Sequence, residues 1–208
     1  GQYVRTRDME QVRPAFEDLL ERLGTDYIDL GMIHYVDRME ELEALPGSPF
    51  MDYVHQLKTD GVIRHIGMST HNPAVGIRAV EMGLVEMLLF SCNPAFDLLP
   101  ASEELNDSFA EEYDPALEGL NTVRARLYQL CEQKGVGITV MKGYAGGRLF
   151  KAETSPFGVA LTPVQCLHYA LTRPAVASVM VGYDTPQHVM EAVAYETAAE
   201  GEKDYATV

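Results

Sequence analysis

Apolar residues recur along this chain at two alternating spacings, one typical of strands and the other typical of helices. Five short runs are mostly apolar, as expected for parallel strands that are covered on both faces. These runs are Tyr27–His34, Val62–Ser69, Val85–Phe90, Gly137–Lys142 and Val176–Val181. Around them, apolar residues fall three or four positions apart, which predicts amphipathic helices. Strand and helix therefore alternate five times, and this order predicts an α/β protein with a parallel sheet.

Capping residues and glycines indicate where the predicted helices begin and end. Asp8 can cap a first helix that runs to about Leu23, and Gly24 suits the left-handed position after a helix. Three further helix starts pair a capping side chain with a first-turn proline: Asn72-Pro73, Thr162-Pro163 and Thr185-Pro186. Two architectures are compatible with this order, an open doubly wound sheet and a (β/α) barrel. No Gly-x-Gly-x-x-Gly follows the first strand, so the sequence does not indicate a dinucleotide-binding open sheet.

Three segments depart from the strand–helix rhythm. An acidic loop, Asp37 to Glu43, follows the first strand. The segment 93–119 is a second, long acidic loop, and it is either a solvated surface loop or a substrate loop on the active face. The segment 201–208 is a polar tail. These segments and the rest of the chain belong to one predicted domain that spans 1–208.

The acidic composition limits which partners are expected. Lys and Arg number 16 against 31 Asp and Glu, so the formal net charge is -15. Nucleic acid and anionic membranes both require basic patches, so we expect neither as a partner. An anionic cofactor stays compatible, because it needs only free backbone N–H groups and local positive charge.

The cysteines and the hydropathy pattern bear on metals and location. Three cysteines, Cys92, Cys131 and Cys166, lie far apart and form no metal-binding motif, so no metal site is expected within this chain. Reduced thiols fit a cytoplasmic protein. No apolar run is long enough for a membrane span, and no signal peptide is recognisable.

Polar residues gather at the predicted carboxyl ends of the strands, which is where barrels place their chemistry. They are His34, Ser69–Asn72, Cys92-Asn93, Lys142 and Gly182–Thr185. A single histidine at such a position is also compatible with a plain core or rim residue. Glycines after the fourth strand and a helix start after the fifth predict an anion site, because barrels bind phosphate groups between their last two loops.

Three motifs together resemble the aldo-keto reductase family: Arg22–Leu30 before His34, Leu57–Ser69, and the Gly182 turn followed by Thr185-Pro186. The chain is most similar to a bacterial branch that reads Ser-Thr-His-Asn after the second of these strands. Members of that branch often carry a C-terminal ferredoxin-like 4Fe-4S segment. The resemblance implies a (β/α)8 TIM barrel, of which this chain supplies about strands 4 to 8 as a partial barrel.

The resemblance also implies an oxidoreductase that moves a hydride between NADP(H) and a carbonyl or alcohol substrate. His34 matches the family's catalytic histidine, which hydrogen-bonds and polarises the substrate oxygen. Ser69 matches the position that holds the nicotinamide carboxamide. Thr70 stands beside it where many members have asparagine. Leu89 stands where many members have a glutamine that binds the carboxamide. Met141 stands near the position where many members have a tyrosine that stacks on the nicotinamide.

The rest of the implied cofactor site lies after the fourth and fifth strands. The pyrophosphate loop corresponds to Lys142, Gly143 and Tyr144. The segment that holds the adenosine 2′-phosphate and adenine corresponds to Tyr183, Asp184, Thr185, His188 and Glu191. Asp184 is a poor neighbour for a phosphate and His188 replaces a common arginine, so NAD is possible in place of NADP.

The family's catalytic aspartate, tyrosine and lysine lie in the first three strands, which this chain does not supply. We therefore expect a piece of an NADP-dependent aldo-keto reductase that is inactive by itself. The alternative is a catalytically dead partial barrel that acts as a cofactor-binding or protein-interaction module. An open barrel exposes strand edges, so we expect a homo-oligomer that covers them. A third interpretation, an unrelated phosphate-binding barrel enzyme, fits the fold but not the motifs.

Overall fold

The computed structural model describes residues 6–98 and 121–205. The strands of this part are β1 (Ile28–Ile33), β2 (Ile63–Thr70), β3 (Met87–Ser91), β4 (Gly137–Met141) and β5 (Val176–Val179). The helices are α1 (Met9–Leu23), α2 (Met39–Glu43), α3 (Pro49–Thr59), α4 (Pro73–Glu81), α5 (Pro94–Leu98), α6 (Thr122–Lys134), α7 (Pro163–Leu171), α8 (Pro186–Val193) and α9 (Glu200–Lys203). Two 3₁₀ segments cover Ala145–Phe150 and Ala194–Glu196. The predicted alternation of strand and helix is confirmed.

The five strands form one parallel sheet in the order β1-β2-β3-β4-β5. Each strand lies beside the next one along the chain, whereas a doubly wound sheet reverses its strand order at a switch point. The arrangement therefore fits a partial (β/α)8 barrel, as predicted. Because the strands are parallel, all their carboxyl ends meet at one edge of the sheet, and the predicted site residues lie at that edge.

The two faces of the sheet differ sharply in burial. Ile33, Met68 and Phe90 are at most 1% exposed and pack in the main core with residues of the helices. Side chains on a strand alternate between faces, so their neighbours point the other way. Leu30, at 43% exposed, and Met32, at 37%, represent this second face. This second face, called the open face below, is exposed along β1, although Ser69 and Met87 on it are only 3% and 6% exposed.

The helix caps explain why the predicted boundaries hold. The Asp8 carboxylate accepts a hydrogen bond from the Glu10 N–H, and Gly24 ends α1 with φ 64°. Thr162 and Gln165 form a capping box at the start of α7. These signals involve residues within four positions of each other, so the sequence alone reveals them.

Two predicted loops contain helices. The acidic loop from Asp37 to Glu43 includes α2, so predicting only a loop there was wrong; Leu42 is fully buried and gives this helix an apolar side. The first residues of the predicted long loop 93–119 form α5. The remainder of that loop, 99–119, lies outside the described residues.

The segment predicted as a polar tail makes specific contacts where the structure describes it. The Gln165 amide donates to the Asp204 carbonyl at 2.7 Å. The ring of Tyr205 packs edge-on against Tyr169, with 5.2 Å between the centroids. Residues 206–208 lie outside the described part. Among the helices that the structure describes, none is both long enough and apolar enough to cross a membrane.

Candidate active site

Hydrogen bonds between the ends of β1 and β2 fix the position of Ser69. The backbone N–H of Tyr35 donates to Ser69 Oγ at 2.7 Å, and that of Val36 donates to the Ser69 carbonyl at 2.9 Å. Tyr35 has φ 56°, a left-handed conformation that is unfavourable for a bulky residue. Since Ser69 Oγ is the acceptor here, the serine hydroxyl can still donate its own hydrogen, as a carboxamide oxygen would require.

Strand register places His34 next to Ser69. Ile33 is paired with Met68, so the next residues along the two strands, His34 and Ser69, also lie side by side. Ser69 is in turn paired with Leu89 of β3. His34 is half-buried, and its carbonyl accepts a hydrogen bond from Arg7 at 2.9 Å. The structure thus brings the predicted catalytic position and the predicted carboxamide position together.

Asp37 lies among the predicted site residues, although no chemical role was predicted for it. Its carboxylate accepts hydrogen bonds from the His71 N–H at 2.7 Å and from the Thr70 hydroxyl at 3.1 Å, and it lies 2.9 Å from His71 Nδ1. Burial alone would raise the pKa of Asp37, but the hydrogen bonds from His71 and Thr70 outweigh burial and lower it. No local pattern indicates this contact, because Asp37 and His71 are separated by 34 positions.

Thr70 is placed differently from Ser69. Its side chain is fully buried, and its hydroxyl is engaged with Asp37 and with the Asn72 carbonyl. The alternation of strand side chains points it to the face opposite to that of Ser69. The structure therefore does not bring the Thr70 hydroxyl to the open face where the other predicted carboxamide contact lies.

Lys142 follows β4 directly and has a left-handed conformation, with φ 58°. Its carbonyl accepts two hydrogen bonds of 2.9 Å, one from the Asn93 side-chain amide and one from the Ala145 N–H. Burial lowers the pKa of the Lys142 amine to about 8, and the Asp37 carboxylate acts in the opposite direction. An amine with this pKa is still largely cationic at neutral pH, as an anion site requires.

Glycine is required after Lys142 because the chain passes close to β5. A Cβ atom built on Gly143 would lie 3.1 Å from Val179 Cγ1 and 3.3 Å from Val181 Cγ1. Contacts this short force the neighbouring side chains to shift, so a larger residue would push the turn away from the sheet. The sequence prediction of a glycine turn here is compatible with this packing.

The turn after β4 meets the segment after β5 at Tyr144. Burial is the main cause that raises the pKa of the Tyr144 hydroxyl, and the nearby Tyr183 and Glu191 raise it further. Thr185 caps α8 by accepting from the His188 N–H at 3.3 Å, and His188 Nδ1 accepts from the Asp184 N–H at 3.3 Å. The predicted adenosine-binding residues thus form one exposed patch beside Tyr144.

The site therefore has two parts along the carboxyl edge of the sheet. The first contains His34, Ser69, Asp37 and Lys142, and it offers a hydroxyl donor, an imidazole and an amine. The second contains Tyr144 and the segment 183–191, which includes no Lys or Arg. Within residues 6–98 and 121–205, no three His, Cys, Asp or Glu side chains are placed to hold a metal ion together.

Comparisons with known proteins show which proteins this chain is similar to. The chain is 28% identical over 190 residues to the uncharacterized oxidoreductase YqkF of Bacillus subtilis, and this match covers 86% of the chain and 58% of YqkF. It is 25% identical over 217 residues to an aldo-keto reductase of Babesia bovis, covering 83% of the chain and 75% of that protein.

A solved structure supports the fold independently. The holo form of an aldo-keto reductase from Bacillus halodurans aligns with 97% of this chain and 66% of its own length, at a TM-score of 0.64 and 20% identity. The chain thus spans little more than half the length of YqkF and about two thirds of this enzyme. The sequence model of the Aldo/keto reductase family matches residues 3–160. Because this match covers most of the sequence, the chain belongs to the aldo/keto reductase family.

Proposed function

We propose that this chain forms the C-terminal part, about strands 4 to 8, of an NAD(P)H-dependent aldo-keto reductase that acts on a carbonyl or alcohol substrate. One observation carries the proposal: His34, Ser69 and Lys142 terminate strands at the same edge of a sheet in a chain that belongs to this family. The 58% of YqkF that the chain spans is consistent with a partial barrel.

The residues that would hold the cofactor fit a dinucleotide that lies along this edge. The Ser69 hydroxyl can donate to a carboxamide oxygen, because Ser69 Oγ is the acceptor in its hydrogen bond with the Tyr35 N–H. The amine of Lys142, whose nitrogen is buried, would neutralise pyrophosphate oxygens near the turn that contains Gly143. The N-terminus of α8 at Thr185 would present the positive end of the helix dipole to the adenosine end. When bound, the cofactor supplies or accepts the hydride.

The substrate side of the proposal concerns His34. Its imidazole, beside Ser69 on the open face, would hydrogen-bond the substrate oxygen and hold the carbonyl carbon near the nicotinamide. Leu30 and Met32 continue this face and give the substrate an apolar surface. The proton donor and its partners are implied by family resemblance to lie in the first three strands. We therefore propose that residues 1–208 alone do not catalyse the reaction of the carbonyl or alcohol substrate.

Cofactor binding and turnover can be tested separately. We expect NADPH fluorescence to be quenched with micromolar affinity by the protein expressed at its full natural length, and by residues 1–208 more weakly. His34→Gln should preserve cofactor binding and remove most reduction of a panel of aldehydes and ketones, since it removes the group that polarises the carbonyl. An absence of NADPH and NADH binding at millimolar cofactor would overturn the proposal.

A second candidate function, an interaction module, is favoured by the exposed apolar residues at both ends of the sheet. Leu30 and Met32 lie on the edge strand β1, while Met180 and Met190 are 58% and 64% exposed at the β5 end. Unpaired parallel edges with such side chains favour pairing with a second copy. A monodisperse monomer in sedimentation that binds no hydrophobic dye would contradict the homo-oligomer.

A further inference from the structure

We infer that Asn93 is a positioning residue for the turn after β4. Its side-chain amide holds Lys142 in the left-handed conformation and thereby aims the Gly143 N–H toward the end of β5. This inference rests on the proposed function, because it assigns the turn to the cofactor's pyrophosphate. Asn93 itself is not expected to touch the cofactor.

The Asn93 side chain is engaged at both ends of its amide. Asn93 is fully buried directly after β3, and its Nδ2 lies 2.9 Å from the Lys142 carbonyl oxygen. Its Oδ1 accepts a hydrogen bond of 2.9 Å from the Phe96 N–H in α5. A flipped amide would place an oxygen against the Lys142 carbonyl and an NH₂ group against the Phe96 N–H. The two bonds together therefore fix the orientation of the amide.

The residue that Asn93 holds is in an unfavourable conformation. Lys142 has φ 58°, a region that glycine adopts readily and that lysine rarely adopts. Non-glycine residues persist there only when surrounding contacts fix them. Asn93 supplies a contact from the neighbouring strand end, and the Ala145 N–H closes the turn from within.

The geometry of the peptide bond determines where the N–H of the next residue points. In a trans peptide the C=O of one residue and the N–H of the next point in opposite directions. The Lys142 carbonyl points to Asn93, so the Gly143 N–H points away from Asn93. Since β4 lies between β3 and β5, this is the side of β5. Gly143 packs against Val179 and Val181 on that side, close to the predicted adenosine segment.

A double-mutant cycle tests the inference on the protein at its full natural length. Asn93→Ala is measured in the natural background and in Lys142→Gly, because glycine adopts the left-handed turn without help. With lysine present, we expect Asn93→Ala to weaken NADPH binding by about tenfold, measured by fluorescence quenching. With glycine present, we expect a loss of less than about threefold. Equal losses in the two backgrounds would overturn the inference.

A control separates this role from general destabilisation. Asn121 also caps a helix, with its Oδ1 accepting from the Val123 N–H at 3.0 Å at the start of α6. We expect Asn121→Ala to lower stability and leave the NADPH Kd unchanged. If Asn93→Ala does not fold, Asn93→Asp keeps the acceptor for Phe96, removes the donor to Lys142, and is measured in the same two backgrounds.

The natural protein, Asn93→Ala, Lys142→Gly and the double variant also test the inference when no cofactor is bound. Urea midpoints without cofactor should be non-additive, with a smaller loss from Asn93→Ala when residue 142 is glycine. Additive midpoints would overturn the inference whether or not NADPH binds. If the natural protein binds no nicotinamide cofactor but the midpoints are non-additive, the proposed function fails while Asn93 still fixes the turn.

Discussion

The backbone N–H of Tyr35 donates a 2.7 Å hydrogen bond to the Ser69 hydroxyl and so joins the end of β1 to the end of β2. Tyr35 is left-handed, with φ 56°. The pattern recurs at β4, where left-handed Lys142 is held by Asn93 from the end of β3. Two strand ends of the candidate site thus carry a strained residue that a polar side chain of a neighbouring strand holds in place.

Removing the Ser69 hydroxyl should therefore destabilise the fold as well as weaken cofactor binding. Ser69→Ala leaves the Tyr35 N–H without its acceptor, and an unsatisfied buried donor costs about 1–3 kcal/mol. Urea unfolding measures this loss. Ser178→Ala is the matched control, because Ser178 is exposed and its hydroxyl lies 3.0 Å from Thr139 Oγ1 at the surface; its change should stay within about 0.5 kcal/mol. Equal losses would contradict the proposed role of Ser69.

The buried charge cluster around Asp97 leads to a second prediction. Asp97 accepts hydrogen bonds from Arg124 Nε and the Tyr128 hydroxyl, each at 2.7 Å, and from the Tyr169 hydroxyl at 2.5 Å. Asp97 is fully buried, and the Arg124 side chain is 5% exposed. Arg124→Met would leave the carboxylate without its cation, so the free energy of unfolding should fall by about 3–5 kcal/mol.

Arg126 provides the control for this cluster. It pairs with Glu81 at 3.0 Å, but its side chain is 66% exposed. Arg126→Met should therefore cost only about 0–1 kcal/mol. Both variants lose one arginine from α6, so the difference between them measures burial. Similar unfolding energies for the two variants would show that the Asp97 cluster does not depend on its cation.

The sequence predicts most of the fold because helix and strand signals are local. The caps at Asp8 and Thr162 lie within four positions of the groups they bind, and strand periodicity is visible within each run. The contacts of Asp37, Asn93 and Asp97 are different, since their partners lie 34, 49 and 27 positions away. Only the folded sheet brings these pairs together, so no pattern in the sequence could assign them a role.

The predicted site residues also divide into those that a sequence pattern places correctly and those whose contacts depend on distant residues. His34 and Ser69 were predicted to share the active edge because parallel strands align their carboxyl ends, and the register places them side by side. Thr70 was predicted because it stands where many members of the family have asparagine, and its hydroxyl binds Asp37 on the other face. The helix α2 was missed because its acidic residues mask the buried Leu42.

Glu86 should give the stability a measurable pH dependence. A hydrogen bond from Lys58, with further ones from the Ile66 N–H and His65, lowers the pKa of Glu86 from 4.5 to about 2. A lowered carboxyl pKa stabilises the fold above pH 4.5, and this contribution is lost as the pH falls toward 2. The side chain is 43% exposed, so solvent screening limits the contribution to less than about 1 kcal/mol.

Glu86→Gln isolates this effect. At pH 7 the variant should be less stable than the natural protein in urea unfolding, because glutamine keeps the shape and loses the charge. At pH 3 the difference should be smaller, because the carboxyl of the unfolded chain, with a pKa of 4.5, is then mostly protonated and the lowered pKa of the folded state contributes less. A difference that does not change between pH 7 and pH 3 would assign the loss to packing and not to the charge.

His188 should decide which nicotinamide cofactor is preferred. Residues 183–191 include the carboxylates of Asp184 and Glu191 and no Lys or Arg, so this segment offers little to a 2′-phosphate. His188→Arg adds a cation beside Thr185, where a charge-assisted hydrogen bond of about 1.5–3 kcal/mol becomes possible. The ratio of NADH Kd to NADPH Kd should rise about tenfold or more. An unchanged ratio would show that the 2′-phosphate of NADPH does not lie beside residue 188.

Lys142 makes NADPH binding itself dependent on pH. Burial lowers the pKa of its amine to about 8, so the amine loses its charge as the pH rises from 7 to 9. If the cation binds the pyrophosphate, the NADPH Kd should rise across this range, by up to about tenfold per pH unit above 8. Lys142→Met should bind more weakly at pH 7 and show no such rise, whereas Lys151→Met, an exposed lysine in a following turn, should keep it. A pH dependence that survives in Lys142→Met would assign the titration to another group and remove Lys142 from the pyrophosphate site.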